Sequence, residues 1–192
     1  MKKNWAVFVA FYLLLALAAC GAEEQQLSLA AMDVQAYEHP SNGAAITLPA
    51  EWEKLSEVDE ATVFAAVDDS ISLTLLRELG GFSYYSAEGL AGLAEELAGG
   101  VLAEPEVLQS EVLAKPKGAV LVTVSGDLAE GKPAVCEVVV YSPIPAVRYY
   151  TVAVAGSDAY QANAALLREI YAGFHLNKTE DDIYQQLEDT NA

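Results

Sequence analysis

Two cysteines and two histidines are the side chains of this sequence that act most readily as nucleophiles, bases or metal ligands. Neither His39 nor His175 accompanies a nucleophile motif, and no cysteine–histidine cluster has the spacing of a metal site. Cys136 lies in an apolar, strand-like run, where a lone thiol is typically a small buried hydrophobe. We therefore expect structural roles for these three residues, with no metal, no cofactor and no enzymatic activity.

Cys20 is the residue whose chemistry the surrounding sequence specifies best. A positively charged start precedes the apolar run Trp5–Ala19, which is shorter than the roughly 20 residues that a membrane-spanning helix needs. The run ends in Leu17-Ala18-Ala19-Cys20, and this segment resembles the lipobox of bacterial lipoproteins. The resemblance implies that residues 1–19 are a signal peptide and that Cys20 carries fatty acyl chains such as palmitate. An ordinary secretory signal with an incidental cysteine is the alternative.

The expected mature chain is strongly acidic. Removal of residues 1–19 takes away two of the ten basic residues and none of the 28 acids, which leaves a formal charge of −20. Nucleic acid and anionic lipid headgroups would both repel such a chain, so we expect no nucleic-acid partner. We therefore expect the chain to attach to the membrane only through the covalent lipid on Cys20. We interpret the acidity as a solvated surface, and a face for cations or a basic partner is the alternative.

The remaining chain divides into a tether, one domain and a tail. Residues 20–34 form the lipidated cysteine and its tether, and residues 27–33 fit either a helical turn or a linker. Residues 35–176 form the domain, and residues 177–192 form an acidic C-terminal tail. Ile183 and Leu187 have the spacing of a weak docking helix, but we favour a frayed tail.

Two segments of the domain have the pattern of helices and the rest has that of strands. The first helix starts after Ser86 and ends at Gly99-Gly100, and the second runs from Gly156 to Gly173. Strand patterns precede the first helix at 44–49, 62–67 and 71–78, with turns at 51–53 and 68–70. Four further strand patterns, at 107–113, 119–124, 134–141 and 147–154, predict an antiparallel meander. The expected fold class is α+β, a mainly antiparallel sheet with two main helices in the order β-β-β-α-β-β-β-β-α.

Two segments resemble the PsbP/DcrB-like family, which includes PsbP-type extrinsic proteins and small bacterial lipoproteins. Ile46-Thr47-Leu48-Pro49-Ala50-Glu51-Trp52 is similar to its early strand, which runs into a proline and a tryptophan. The segment 167–176 resembles its last helix, which runs into a small residue and phenylalanine. The resemblance implies an α/β/α sandwich over residues 37–176. It also implies an accessory or assembly role at membranes, with no shared catalytic residues.

Paired tyrosines suggest where a partner could bind. Phe82, Tyr84 and Tyr85 lie just before the first helix, and we predict an interaction surface there. Core packing is the commoner role of such side chains. Tyr149 and Tyr150 are neighbours in a late strand, where alternation predicts that one is buried and the other exposed.

The sequence thus predicts a non-enzymatic envelope lipoprotein. It would be anchored in the cell membrane or outer membrane, with its domain outside the cytoplasm, and would act as an accessory or interaction module for another envelope protein. The alternative is a lipoprotein that binds a small ligand in a cleft between a helix and the sheet.

Overall fold

The computed structural model describes residues 27–80, 83–129 and 131–190, and for residues 186–190 it describes the backbone only. The predicted signal peptide, Cys20, residues 21–26 of the tether and Phe82 lie outside the described residues. A single 3-10 turn, Leu29–Ala31, precedes the first strand. Five strands come next: β1 (Val34–Glu38), β2 (Ala44–Pro49), β3 (Glu53–Val58), β4 (Ala61–Ala65) and β5 (Ile71–Leu79).

The second half of the chain contains the helices and the long strands. Helix α1 (Ala87–Gly99) leads into β6 (Ala103–Val112), β7 (Val120–Asp127), β8 (Pro133–Ile144) and β9 (Val147–Gly156). Helix α2 (Ser157–Ala172), the short strand β10 (His175–Leu176) and helix α3 (Glu180–Thr190) complete the described fold. None of the helices in these residues is both long and apolar enough to cross a membrane.

A seven-stranded sheet in the order β3-β4-β5-β9-β8-β7-β6 forms the middle layer, and a smaller sheet has the order β1-β2-β10. All strand pairs are antiparallel. Helix α1 covers one face of the large sheet, and α2 together with the small sheet covers the other. The predicted α+β sandwich and its meander are therefore confirmed.

Two covered faces explain why the central strands lack a polar side. In β9, Tyr149 and Ala153 join the core beneath α2, whereas Tyr150 and Val152 join the core beneath α1. A strand buried on both faces reads as a continuous apolar run. The expectation that one of Tyr149 and Tyr150 is exposed is therefore wrong, because both are buried.

Five strands precede α1 where the sequence predicted three. Strand β1 lies at an edge of the small sheet and β3 at an edge of the large one, and most of their side chains are exposed. Edge strands carry charged residues that hide the alternation, as Glu53, Lys54 and Glu57 do in β3. The predicted turn at residues 51–53 is consequently shorter, and Glu53 begins β3.

The C-terminal segment differs from the frayed tail that we favoured. It forms helix α3, and Ile183 is buried in the core beneath α2. Thr179 caps this helix, because its hydroxyl accepts a hydrogen bond from the Asp182 amide at 3.2 Å and its own amide donates to Asp182 Oδ2 at 2.9 Å. One apolar contact and one reciprocal cap therefore order a segment whose acidic composition suggested a frayed tail.

Candidate interaction surface

The predicted aromatic surface lies in the connection between β5 and α1. We call its described part, residues 83–85, the tyrosine loop. Tyr84 is 91% exposed and Tyr85 is 36% exposed. A tyrosine ring in water contributes almost nothing to the folded state, because its stabilising effect comes from burial. Tyr84 is therefore dispensable for the fold, and its exposed ring is available to a partner.

Helix α1 fixes the C-terminal end of the tyrosine loop. The Ser86 hydroxyl accepts a hydrogen bond from the Gly89 amide at 3.1 Å, and Glu88 stands in the first turn, where the helix dipole favours a negative charge. The Tyr85 ring folds back onto Gly89, at which a β-carbon would lie 3.3 Å from Tyr85 Cδ1. The loop is thus joined directly to a capped helix start.

Arg148, in β9, holds the same loop from the sheet. Its side chain is only 6% exposed. Its Nε donates to Glu78 Oε2 at 3.0 Å, and its Nη1 donates to the Tyr85 hydroxyl at 3.0 Å. The guanidinium carbon also lies 5.1 Å from the centre of the Tyr85 ring. We call Arg148 with Glu78, Tyr85 and Tyr150 the arginine clamp.

Arg148 keeps its charge in spite of burial. Burial disfavours the protonated Arg148 guanidinium, but the hydrogen bond and the charge of Glu78 outweigh it and raise its pKa. The Tyr150 hydroxyl donates to Glu78 Oε2 at 2.6 Å, and burial followed by this hydrogen bond raises the pKa of Tyr150. Gly80 leaves room for the guanidinium, since a β-carbon there would lie 2.2 Å from Arg148 Nη2 and would displace it.

A second polar cluster, which sequence reasoning missed, lies beneath α2. Glu137 is fully buried in β8. Its Oε1 accepts hydrogen bonds from the Thr123 hydroxyl at 3.0 Å and the Tyr160 hydroxyl at 2.9 Å, and it lies 3.3 Å from Arg168 Nη2. Glu137 Oε2 and the Tyr171 hydroxyl are buried and have no hydrogen-bond partner among the described residues. Burial, and then the Glu137 charge, raise the pKa of Tyr171.

The Glu137 cluster fits a structural role better than a catalytic one. Its partners are hydroxyls and a guanidinium that Glu111 also binds, and they join α2 to the sheet. No solvent reaches the carboxylate. The signal in the sequence was a single glutamate within the apolar run 135–140, which alternation places on the same face as Val139.

Both histidines form hydrogen bonds with backbone groups. His39 is buried; its Nε2 donates to the Val58 carbonyl oxygen at 3.0 Å, and its Nδ1 accepts from the Ser41 amide at 3.3 Å. His175 is exposed, and its Nδ1 donates to the Gly173 carbonyl oxygen at 2.9 Å, just beyond α2. His39 Nδ1 also lies 3.3 Å from the Ser41 hydroxyl, which donates its own hydrogen bond to the Asp59 carbonyl oxygen at 2.8 Å.

Cys136 and the predicted hairpin turn are also structural. Cys136 is a free, buried thiol, and burial followed by the Glu137 charge raises its pKa to about 12. In the turn between β4 and β5, Asp68 accepts a hydrogen bond from the Ser70 amide at 3.0 Å, and Asp69 has a φ of 55°. Within the described residues, no group of three histidine, cysteine, aspartate or glutamate side chains is arranged to hold a metal ion.

Known proteins resemble this chain in structure and not in sequence. No family model and no curated protein matches the sequence. The Ran-binding protein Mog1p of Saccharomyces cerevisiae superposes with a TM-score of 0.58 at 15% identity, covering 76% of this chain and 96% of Mog1p. The PsbP protein of Synechocystis sp. PCC 6803, CyanoP, superposes with a TM-score of 0.51 at 15% identity. This match covers 83% of this chain and 98% of CyanoP. The chain has the fold of Mog1p and CyanoP.

A third similar structure extends this comparison to a bacterial protein of unknown function. PA94 from Pseudomonas aeruginosa, described as a putative regulator, gives a TM-score of 0.51 at 14% identity and covers 76% of this chain and 99% of its own. The expected PsbP/DcrB-like architecture is thereby confirmed at the level of the fold. At sequence identities this low, the activity, partner or location of one protein cannot be inferred for another.

Proposed function

We propose that this chain is a lipid-anchored envelope lipoprotein whose domain acts as a non-enzymatic protein-interaction module. The observation that carries the proposal is Tyr84, a nearly fully exposed tyrosine in a loop held by the arginine clamp. Interfaces are enriched in tyrosine, and a few such side chains supply most of the binding energy. The tyrosine loop is therefore the proposed contact surface.

The arginine clamp supports binding by fixing the loop in advance. A flexible loop loses conformational entropy when a partner orders it, at about 0.5–1.5 kcal/mol for each side chain that becomes immobile. Contacts from Arg148 and Gly89 hold Tyr85 in place before any partner arrives. Burial of the neighbouring Tyr84 ring can then contribute its roughly 2–3 kcal/mol to the complex without the added cost of ordering Tyr85.

The path of the chain is compatible with a lipid on Cys20. The Ser28 hydroxyl donates to Glu169 Oε1 at 2.9 Å, so the described chain enters the domain on the α2 side of the large sheet. Eight residues from Cys20 to Ser28 span at most about 28 Å. With Cys20 acylated, the α2 side would therefore stay near the bilayer. The arginine clamp lies on the α1 side, because Arg148 alternates with Tyr149 and shares the face of Tyr150.

Membrane fractionation tests the anchor. Wild-type protein is expected in the membrane fraction, with Cys20 acylated in its N-terminal peptide by mass spectrometry. Cys20→Ala should move the protein to the soluble fraction, because two or three acyl chains are needed for stable attachment and the acidic domain has no affinity for anionic lipid. A Cys20→Ala protein that stayed in the membrane would contradict the lipid assignment.

Chemical crosslinking in cells tests the interaction module. We expect the wild-type protein to form a defined adduct with another envelope protein and Tyr84→Ala to lose most of it. Val67→Ala is the matched control, because Val67 is also an exposed apolar residue but lies in the hairpin turn at the other end of β5. Equal adduct formation by the two variants would refute the assignment of the tyrosine loop.

A further inference from the structure

A groove of about 560 Å³ lies where α2, β10 and α3 meet the end of β8 and the β6–β7 loop. Its volume falls within the range of sites for small molecules. Lys115 and Lys178 line it together with Tyr141, Phe174 and Ile183, and Glu180 is the carboxylate in its lining. The groove is on the α2 side of the sheet and is separate from the tyrosine loop.

The groove contains two of the few cations of this acidic chain, Lys115 and Lys178. Salt bridges neutralise four other cations of the described residues, which are Lys54, Arg77, Arg148 and Arg168. Lys115 and Lys178 form no salt bridge within those residues. The Lys178 ammonium donates to the Ser41 carbonyl oxygen at 2.8 Å, and its charge also helps to lower the pKa of the Asp182 carboxylate.

Beside these lysines the groove has an apolar wall. Phe174 and Ile183 are buried members of the core, and the Tyr141 and Phe174 rings meet edge to face with 6.2 Å between their centres. Apolar walls with a few convergent polar groups are typical of small-ligand sites. Two lysines against one glutamate give the lining a net positive charge, opposite to that of the chain as a whole.

We propose that this groove binds a small organic anion with an aromatic or aliphatic body. Its carboxylate would be held by Lys115 and Lys178, and its body would pack on Tyr141 and Phe174. Ammonium groups act on a carboxylate as point charges, and they act more strongly beside an apolar wall than in open water. This site is independent of the proposed interaction module, so either can fail without the other.

Matched ligands test the chemical class. The lipidated protein, held in phosphatidylcholine nanodiscs, is titrated with 4-phenylbutyrate, 4-phenylbutanol and 4-phenylbutylamine, with empty nanodiscs as the blank. Binding is followed by NMR shifts of the groove residues. A ligand of this size is expected to bind with a Kd of about 1 mM, and the anion at least tenfold more tightly than the alcohol or the amine. Equal binding of the three ligands, or no binding of the anion at 10 mM, overturns the proposal.

Lysine variants test the residues. Lys115→Gln should weaken 4-phenylbutyrate binding by about tenfold, the usual effect of losing one charge-assisted contact. Lys178→Gln should weaken it as well, but this variant also loses the contact with Ser41, so Lys115→Gln is the decisive one. Lys117→Gln is the control, because Lys117 lies in the same loop outside the lining. An unchanged Kd in Lys115→Gln overturns the proposal.

Discussion

Replacing Arg168 by methionine should destabilise the protein because it leaves the buried Glu137 carboxylate without its cation. The fully buried Glu137 carboxylate would lose its cation and keep two hydroxyl donors, at 3.0 and 2.9 Å. Removing one partner of a buried ion pair costs about 3–5 kcal/mol. Because the hydroxyls remain, we expect the lower end, about 3 kcal/mol. That lowers Tm by roughly 6–12 °C for a domain of this size.

Urea unfolding followed by circular dichroism measures this loss, with the m-value checked for a constant two-state transition. The control is Lys54→Met, which breaks the surface pair with Glu57, whose side chains are 46% and 29% exposed, and should cost less than about 1 kcal/mol.

The double variant Glu137→Leu/Arg168→Met removes both charges and should recover part of the loss, because no buried carboxylate remains. The reasoning is refuted if Arg168→Met costs no more than Lys54→Met, or if the double variant is no more stable than Arg168→Met alone.

Three further predictions concern the core and the last helix. Burial raises the pKa of Tyr149 to about 12 and also raises that of Tyr150, so above pH 10 the unfolded state binds fewer protons. The free energy of unfolding should then fall with pH, by up to about 1.4 kcal/mol per pH unit for each tyrosine, and a flat profile in urea titrations between pH 10 and 12 would contradict this. In a Cys20→Ala background, Cys136 should react with iodoacetamide at pH 8 only after unfolding, and rapid labelling of the native protein would show that the thiol is accessible. Ile183→Ala should cost about 2 kcal/mol and increase hydrogen exchange in α3, whereas unchanged protection would mean that Ile183 does not dock this helix.

Sequence reasoning located the elements whose pattern is local. Helix α1 is specified by its cap at Ser86 and its terminal glycines, and α2 by an apolar stripe that includes Leu167 and Tyr171. The four strands from β6 to β9 follow from short connections between strand-forming runs. Strands β1 and β3 were missed because edge positions expose their side chains and weaken the alternation.

The parts of the site that sequence reasoning missed depend on contacts between distant positions. Arg148 and Glu78 are 70 residues apart, and only the pairing of β5 with β9 makes them neighbours. Glu137 and Arg168 likewise meet only when α2 packs on the sheet. The tyrosine loop could be suggested from its aromatic residues, but whether Tyr84 was buried depended on how the whole sheet is covered.

The most direct test of the proposed interaction module is photo-crosslinking from single positions in living cells. A photoreactive phenylalanine analogue replaces Tyr84 in the acylated protein, and in a parallel strain it replaces Val67. The account predicts one discrete adduct with an envelope protein from position 84, none from position 67, and loss of the first when Cys20→Ala removes the anchor. Adducts of equal yield from both positions, or none from position 84, would contradict it.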